Sequence, residues 1–232
     1  MRALTTSLLV ATLLAGATGA FGQGAPLQLT PPPAAKAPAT APKGSTPAGQ
    51  DANAVKPSVE RVNAYFNGIA GMTADFTQIG PDGRRWEGKL HLLRPGKMRF
   101  EYKPPSPLEI VSDGRSVAVR DKKANTQDLY FVGQTPLKFL LRDRIDVARD
   151  SKVISITQQG GDAVLVIEDR QTVGGTSRIR LTFNNADMML KQWIVTDPQG
   201  YDTRVQLANV DLTRRPDARL FVIQEGNVRT PN

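Results

Sequence analysis

The chain of 232 residues contains no cysteine, and His91 is its single histidine. The absence of cysteine excludes disulfides, thiol nucleophiles and thiolate metal sites. With one histidine, the common Ser-His-Asp and Cys-His constellations and the multi-histidine zinc sites are excluded too. A nucleophile elbow, a phosphate-binding loop and a dinucleotide-binding fingerprint are also missing. We therefore expect no enzymatic activity, no catalytic residues, no metal site and no cofactor.

Basic residues outnumber acidic ones and give a formal net charge of +8, but the two signs are mixed along the chain. Arg142-Asp143-Arg144 is one example of this mixing. Interleaved charges are typical of a solvated surface, whereas nucleic-acid-binding proteins concentrate their basic residues in a patch or stripe. We therefore expect no nucleic-acid partner, although a basic exterior favours contact with acidic membrane surfaces or acidic proteins.

The N-terminal region differs in composition from the rest of the chain. Arg2 is followed by an apolar run over residues 8–20, which ends in small residues that suit signal-peptide cleavage. Because this run is too short to span a membrane, residues 1–22 are interpreted as a secretory signal peptide. Residues 23–56 are rich in proline and alanine and hold too few apolar residues to build a core, which predicts a disordered tether. The remaining residues, 57–232, are predicted to form one folded domain.

The folded domain is predicted to begin with a helix and to continue in strands. Pro57 opens a helix whose apolar residues recur at three- and four-residue steps, and Gly68 and Gly71 end it. Apolar and polar residues then alternate, with turn sequences such as Asp113-Gly114 between the runs. Strands are predicted near residues 72–76, 86–92, 98–102, 108–112, 116–120, 127–132, 152–158, 163–169, 177–183, 190–196, 201–210 and 219–223.

This pattern predicts a mainly β protein with few helices, of the α+β class. About eleven closely spaced strands with hairpin turns favour a single large antiparallel sheet that is curled or closed. One short helix interrupts the strands over residues 135–142, with Thr135 as its cap and Pro136 at its first position. Because this helix is apolar on most sides, it is either inserted into the core or laid across an opening.

Alternation places many large apolar side chains on one face of the predicted sheet. The pattern indicates a buried face, but it leaves open whether that face is the closed core of a sandwich or barrel or the lining of a cavity. His91 falls on the opposite, polar face, where we expect an exposed side chain. The residues assigned to the apolar inner face are Phe76, Trp86, Leu90, Leu92, Met98, Phe100, Tyr102, Ile179, Leu181 and Phe183.

Several short motifs occur in a fixed order along the domain. They are Ala74-Asp75-Phe76-Thr77-Gln78, Gly88-Lys89-Leu90, Arg94-Pro95-Gly96-Lys97-Met98-Arg99-Phe100, Val111-Ser112-Asp113-Gly114 and Thr135-Pro136-Leu137-x-x-Leu140-Leu141. Each is short, but from about residue 58 to residue 224 their order and spacing resemble the LolA family, periplasmic carriers of outer-membrane lipoproteins. The resemblance implies an incomplete antiparallel barrel with a helical lid over a hydrophobic cavity.

The resemblance also implies a function for the chain. It implies a periplasmic chaperone that receives acylated lipoproteins from an inner-membrane lipoprotein-releasing ABC transporter and passes them to an outer-membrane acceptor. We expect such a carrier to be a monomer. The inner-face residues would then line an acyl-chain cavity together with three residues of the short helix, Leu137, Leu140 and Leu141.

Arg94 has an implied role of its own. In the family, the arginine of the Arg-Pro pair donates hydrogen bonds to backbone carbonyls of the lid and holds the empty cavity closed. Arg94 continues the inward phase of Leu90 and Leu92, and a buried guanidinium must find acceptors because an unpaired buried charge is very costly. We therefore expect Arg94 to be the latch of the lid.

Two positions depart from the family pattern, and other functions remain open. Phe100 stands where a tryptophan is frequent, and Gln224 stands where a proline is common. One alternative is a periplasmic carrier of another lipid, such as a glycolipid or a hopanoid. A second is an envelope-stress sensor module that binds an anti-sigma factor. A third, a hydrolase, is disfavoured by the missing catalytic groups.

Overall fold

The computed structural model describes residues 56–224 and 228–229. The predicted signal peptide and nearly all of the predicted tether lie outside the described residues. The described helices are α1 (Val59–Gly68), α2 (Lys138–Leu141) and α3 (Val147–Asp150), with 3₁₀ turns at Val132–Gln134 and Ala218–Phe221. The strands are β1 (Gly71–Ile79), β2 (Arg85–Leu93), β3 (Lys97–Tyr102), β4 (Leu108–Asp113), β5 (Ser116–Asp121), β6 (Thr126–Phe131), β7 (Lys152–Gln159), β8 (Asp162–Thr172), β9 (Gly175–Asn184), β10 (Leu190–Thr196), β11 (Asp202–Asp211) and β12 (Val228–Arg229).

The described strands form one sheet, in the order β12-β6-β5-β4-β3-β2-β1-β11-β10-β9-β8-β7. Neighbouring strands are antiparallel, except that β12 runs parallel to β6. β1 pairs with β2 on one side and with β11 on the other, so the N-terminal and C-terminal strands meet at one seam. The connection from β6 to β7, which contains α2 and α3, links strands near the two ends of the sheet. The predicted mainly β fold with a single large sheet is confirmed.

The sheet curls strongly. The ring centroids of Phe100 on β3 and Trp193 on β10 are 6.3 Å apart. Three strands lie between β3 and β10, and in a flat sheet the two would be separated by about 19 Å. The end strands β12 and β7 do not pair with each other, so the described sheet is an incomplete barrel. Within the described residues, no helix has the length and hydrophobicity that a membrane span requires.

Helix α1 begins two residues later than predicted. Ser58 is its N-cap and accepts a hydrogen bond from the Arg61 backbone N–H at 3.3 Å, which leaves Pro57 before the cap. Side-chain capping explains this start, because the hydroxyl satisfies a backbone donor that the first helical turn leaves free. The predicted end at Gly68 is confirmed.

The helix predicted over residues 135–142 is also shorter than expected. Only Lys138–Leu141 is helical, and Thr135 does not cap it. Instead, the Thr135 hydroxyl donates to the carbonyl oxygen of Val132 at 2.9 Å, because the preceding 3₁₀ turn presents that acceptor nearby. Pro136 therefore lies in the turn that leads into α2 rather than at its first position.

The strand predicted near residues 219–223 is wrong. Ala218–Phe221 forms a 3₁₀ turn capped by the Asp217 side chain, which accepts from the Arg219 backbone N–H at 2.8 Å. Phe221 is buried, whereas Val222 is exposed, so the run of apolar letters does not mark an extended strand. Alternation could not separate these cases, because a short apolar run fits a capped turn as well as a strand.

The chain that follows β11 contacts the outer face of β3, β4 and β5. Arg99 donates to the Leu220 carbonyl oxygen at 3.1 Å, and Arg120 donates to the Gln224 side chain at 3.0 Å.

On β2, the His91 side chain is 15% exposed, with Nε2 3.8 Å from the Glu101 carboxylate. The prediction of an exposed His91 is therefore wrong, although its outer-face position is confirmed. Burial lowers the pKa of His91, and the Glu101 carboxylate opposes this shift.

Gly88 of β2 makes room for an aromatic cluster on the inner face. It pairs with Phe76 on β1 and with Tyr102 on β3. A Cβ at position 88 would lie 2.6 Å from the Phe76 ring and would collide with the Glu101 carbonyl oxygen. The space lets the Phe76 ring pack edge-on against Phe100 and Tyr102, each with a centroid distance of 5.0 Å.

We expect Gly88→Ala to lower the free energy of unfolding by about 1–3 kcal/mol, because the added methyl overpacks this cluster. Urea unfolding followed by tryptophan fluorescence measures the loss. Gly133→Ala is the matched control, since no atom lies within 4 Å of a Cβ there. Equal unfolding midpoints for the two variants would contradict the packing role of Gly88.

Candidate functional site

The apolar residues predicted for the inner face and the short helix belong to one core. Trp86 is the exception to full burial: it is half-buried and packs against the edge of that core. That the residues of this predicted set bind an acyl chain stays a prediction. The buried members of the predicted set are Phe76, Leu90, Leu92, Met98, Phe100, Tyr102, Leu137, Leu140, Leu141, Ile179, Leu181 and Phe183.

One pocket opens into this core. Its cavity volume is about 40 Å³, far smaller than a typical small-ligand pocket, so the space in this closed form is narrow. Three residues of the predicted set, Phe100, Tyr102 and Leu137, line the pocket, and the others pack elsewhere in the core. Sequence reasoning did not select its other main lining residues, which are Gln78, Ile110, Thr172, Ser177, Trp193, Val195, Asp197, Thr203 and Val205.

A signal for part of this lining was present in the sequence. Trp193 and Val195 alternate within the predicted strand 190–196, and Thr203 and Val205 alternate within 201–210. Alternation therefore places each pair on one face of its strand. It does not say which strands curl towards each other, so the pocket could not be assembled from these positions.

The three helices form a lid over the inner face. Phe66 of α1 and Phe139 of α2 are buried, and their ring centroids are 6.0 Å apart. Phe139 also contacts Trp193 of the sheet at a centroid distance of 6.1 Å. All four residues of α2 are buried, so this helix both covers the sheet and inserts side chains into the core.

Arg94 connects the ends of two lid helices. Its guanidinium donates to the carbonyl oxygen of Phe66, in the last turn of α1. It also donates to the carbonyl oxygens of Arg142 at 2.5 Å and Asp143 at 2.7 Å, directly after α2. The neighbouring backbone adds a further link, because Gly96 N–H donates to the Leu141 carbonyl oxygen at 2.8 Å.

The position of Arg94 follows from the chemistry of helix ends. The last carbonyls of a helix have no partner within the helix and carry partial negative charge, so a cation is favoured there. Partial burial lowers the pKa of Arg94, and Asp143 opposes this shift. A guanidinium nevertheless stays charged near neutral pH, so its hydrogen bonds are charge-assisted. The predicted contact with lid carbonyls is present, and the latch role itself stays a prediction.

Two asparagines fix α1 to the chain around the start of α3. The Asn67 side chain donates to the carbonyl oxygen of Ile145 at 2.8 Å and accepts from its N–H at 2.9 Å. The Asn63 side chain accepts from the Val147 N–H at 3.0 Å. Residues four apart lie on one face of a helix, so both side-chain amides bond to the same segment, residues 145–147. Sequence reasoning did not assign this contact.

A buried ion pair holds α2 on strand β8. The Lys138 ammonium lies 2.7 Å from an Asp169 carboxylate oxygen and 3.1 Å from the Gln171 side-chain oxygen. The Lys138 and Asp169 side chains are only 5% and 2% exposed. Removing one partner of such a pair leaves an uncompensated buried charge. The pair therefore fixes where the lid meets the sheet.

We expect Asp169→Ala to lower the free energy of unfolding by about 3–5 kcal/mol, because it leaves the buried Lys138 ammonium without its charged partner. The double variant Lys138→Met with Asp169→Leu should recover most of this loss, and urea unfolding measures both. Lys191→Ala breaks the exposed pair with Asp162 and serves as control, with an expected change below about 1 kcal/mol. A loss for Asp169→Ala no larger than the control's would refute the anchoring role.

The described residues include no cluster of three or more histidine, aspartate or glutamate side chains placed to hold a metal ion.

Among solved structures, the fold is similar to a LolA superfamily protein from Nitrosomonas europaea, with a TM-score of 0.40 and 10% identity over 72% of this chain and 98% of that one. It is also similar to MucB, with a TM-score of 0.39 and 12% identity over 73% of this chain and 63% of that one.

Sequence comparison identifies the family. Residues 67–224 match the family described as outer membrane lipoprotein carrier protein LolA. The outer-membrane lipoprotein carrier protein of Chromobacterium violaceum is 32% identical over 168 residues, which cover 68% of this chain and 79% of the relative. That of Methylobacillus flagellatus is 27% identical over 167 residues, with the same coverage of 68% and 79%. The chain therefore belongs to the LolA family of outer-membrane lipoprotein carrier proteins.

Proposed function

We propose that this protein is a periplasmic chaperone that binds the acyl chains of lipoproteins released from the inner membrane and carries them to the outer membrane. The observation that carries the proposal is an apolar inner face closed by a lid whose helix ends are hydrogen-bonded to Arg94. Family membership supports a lipoprotein carrier role in general. The apolar run over residues 8–20 supports export.

The energetics suit a carrier. Burial of one long acyl chain contributes on the order of 10 kcal/mol, at about 0.8 kcal/mol per CH₂ group. Binding must first move Phe139 and its neighbours on the lid away from the sheet and break the Arg94 contacts, which offsets much of that gain. The resulting affinity is high enough to keep the lipoprotein bound while the carrier crosses water, and low enough to allow its release.

The proposal includes defined partners. An inner-membrane lipoprotein-releasing ABC transporter loads the carrier, and an outer-membrane acceptor unloads it. The protein acts as a monomer, without a cofactor, an enzymatic activity or a nucleic-acid partner. In this proposal the inner-face residues hold the acyl chains, and Arg94 is the latch that closes the lid after release.

The proposal is tested by affinity capture of the tagged protein from the periplasm, followed by mass spectrometry of bound protein and lipid. We expect peptides of several lipoproteins together with their acylated N-terminal cysteine. An untagged strain controls for nonspecific capture. Recovery of free glycolipid or hopanoid without lipoproteins would instead support the alternative, a carrier of another lipid.

We expect Arg94→Leu to retain bound lipoprotein and to deliver it at least about tenfold more slowly to acceptor-containing liposomes. The reason is that each charge-assisted hydrogen bond contributes about 1.5–3 kcal/mol to the closed form, and its loss favours the open, loaded form. Transfer of radiolabelled lipoprotein measures the rate.

Two variants sharpen this experiment. Arg94→Lys keeps the charge but loses the planar fork, so it should fall between the parent and Arg94→Leu. Arg85→Leu removes an exposed arginine that pairs with Glu87 and should leave transfer unchanged. Delivery by Arg94→Leu at the parent rate would refute the latch.

A further inference from the structure

The pocket described above has a polar end. Val195 and Trp193 form an apolar column along the inner face of β10, and Asp197 follows in the same phase directly after the strand. Thr172 and Ser177, at the β8–β9 hairpin, line the same end of the pocket. Each of these polar side chains is less than one-tenth exposed. The apolar lining of the pocket therefore ends at buried polar side chains.

Most polar atoms at this end have partners within the protein. The Thr172 hydroxyl lies 2.5 Å from the Gly175 carbonyl oxygen and 2.9 Å from the Ser177 hydroxyl. The Gln78 side-chain oxygen accepts from the Tyr102 hydroxyl at 2.7 Å. These groups are satisfied by their neighbours and place no demand on a ligand.

Asp197 is different. One of its carboxylate oxygens, Oδ1, accepts from the backbone N–H groups of Gln199 and Tyr201, each at 2.9 Å. The other, Oδ2, is buried and has no hydrogen-bond partner among the described residues. The whole residue is 8% exposed. A buried acceptor without a partner has lost its hydration without compensation, and this destabilisation is larger when the group is charged.

A ligand that carries an N–H donor would supply the hydrogen bond that Asp197 Oδ2 lacks. A carboxylate only accepts hydrogen bonds, and a bond to it from an N–H group is charge-assisted. In an N-acylated cysteine, the amide N–H directly adjoins the acyl carbonyl, where the apolar chain ends. The ammonium of an aminophospholipid offers the same donor chemistry beside its acyl chains.

We propose that Asp197 Oδ2 accepts an N–H from the head of the bound lipid while the acyl chain lies along Trp193 and Val195. This inference rests on the proposed carrier function and adds to it the orientation of the cargo. The head is held beside the turns that contain Asp197 and Thr172. The chain runs from there beneath Leu137, at the start of the lid helix.

The test uses Asp197→Asn, which retains Oδ1 for the turn and replaces the acceptor Oδ2 by an N–H donor. Asp202→Asn is the matched control, because it makes the same charge change on an exposed residue of the same hairpin. The full-length protein is titrated with a tripalmitoyl-cysteinyl peptide, with dipalmitoyl-phosphatidylethanolamine and with methyl palmitate, which has no N–H group. Thermal unfolding of each variant verifies the fold.

We expect Asp197→Asn to weaken binding of the lipopeptide or the aminophospholipid at least tenfold and to leave methyl palmitate within twofold. Weakening of only one N–H lipid supports the proposal and identifies the source of the donor. Equal weakening of all three probes, or of none, overturns it. If the parent protein does not bind the lipopeptide but binds the aminophospholipid in an Asp197-dependent way, lipoprotein carriage is refuted. The Asp197 contact is then still supported.

Discussion

The curl of the sheet is the constraint on which the rest of the structure depends. It brings strands as far apart as β3 and β10 into side-chain contact, as the Phe100 and Trp193 rings show. The concave surface so formed is largely apolar, with polar side chains at one end, and exposing it to water would carry a large free-energy cost. Because the described sheet does not close on itself, a separate layer must cover this surface. The three helices are that layer.

The lid is fastened to the sheet by two kinds of polar contact with different consequences. Lys138 and Asp169 are deeply buried, and breaking such a pair without rehydration is costly. Arg94 is only partly buried and binds main-chain carbonyls, which water can replace as the helix ends move away. The contacts at Arg94 are therefore the easier of the two to exchange. This difference suits a lid that pivots on one side and opens on the other.

Sequence patterns predicted the strands and much of the inner face, because alternation and turn chemistry are local signals. They also placed Arg94 on the inner side of β2, since its phase continues that of Leu92. The Lys138–Asp169 pair escaped prediction because its partners are 31 residues apart and Lys138 stands at a variable position of its motif. Trp193 escaped as a pocket residue because the curl that brings it to Phe100 is a property of the whole sheet. The C-terminal turn escaped because its side-chain cap competes with extended structure.

The path of the chain gives the lid a mechanical character. The segment that carries α2 and α3 starts at β6, near one margin of the sheet, and ends at β7, the other margin. It thus crosses the gap of the incomplete barrel, from β6, which lies one strand in from the β12 margin, to β7 at the other margin. The length of this segment limits how far β6 and β7 can separate while its helices stay packed on the sheet. The cover and the two sides of the sheet that it joins are therefore parts of one continuous piece of backbone.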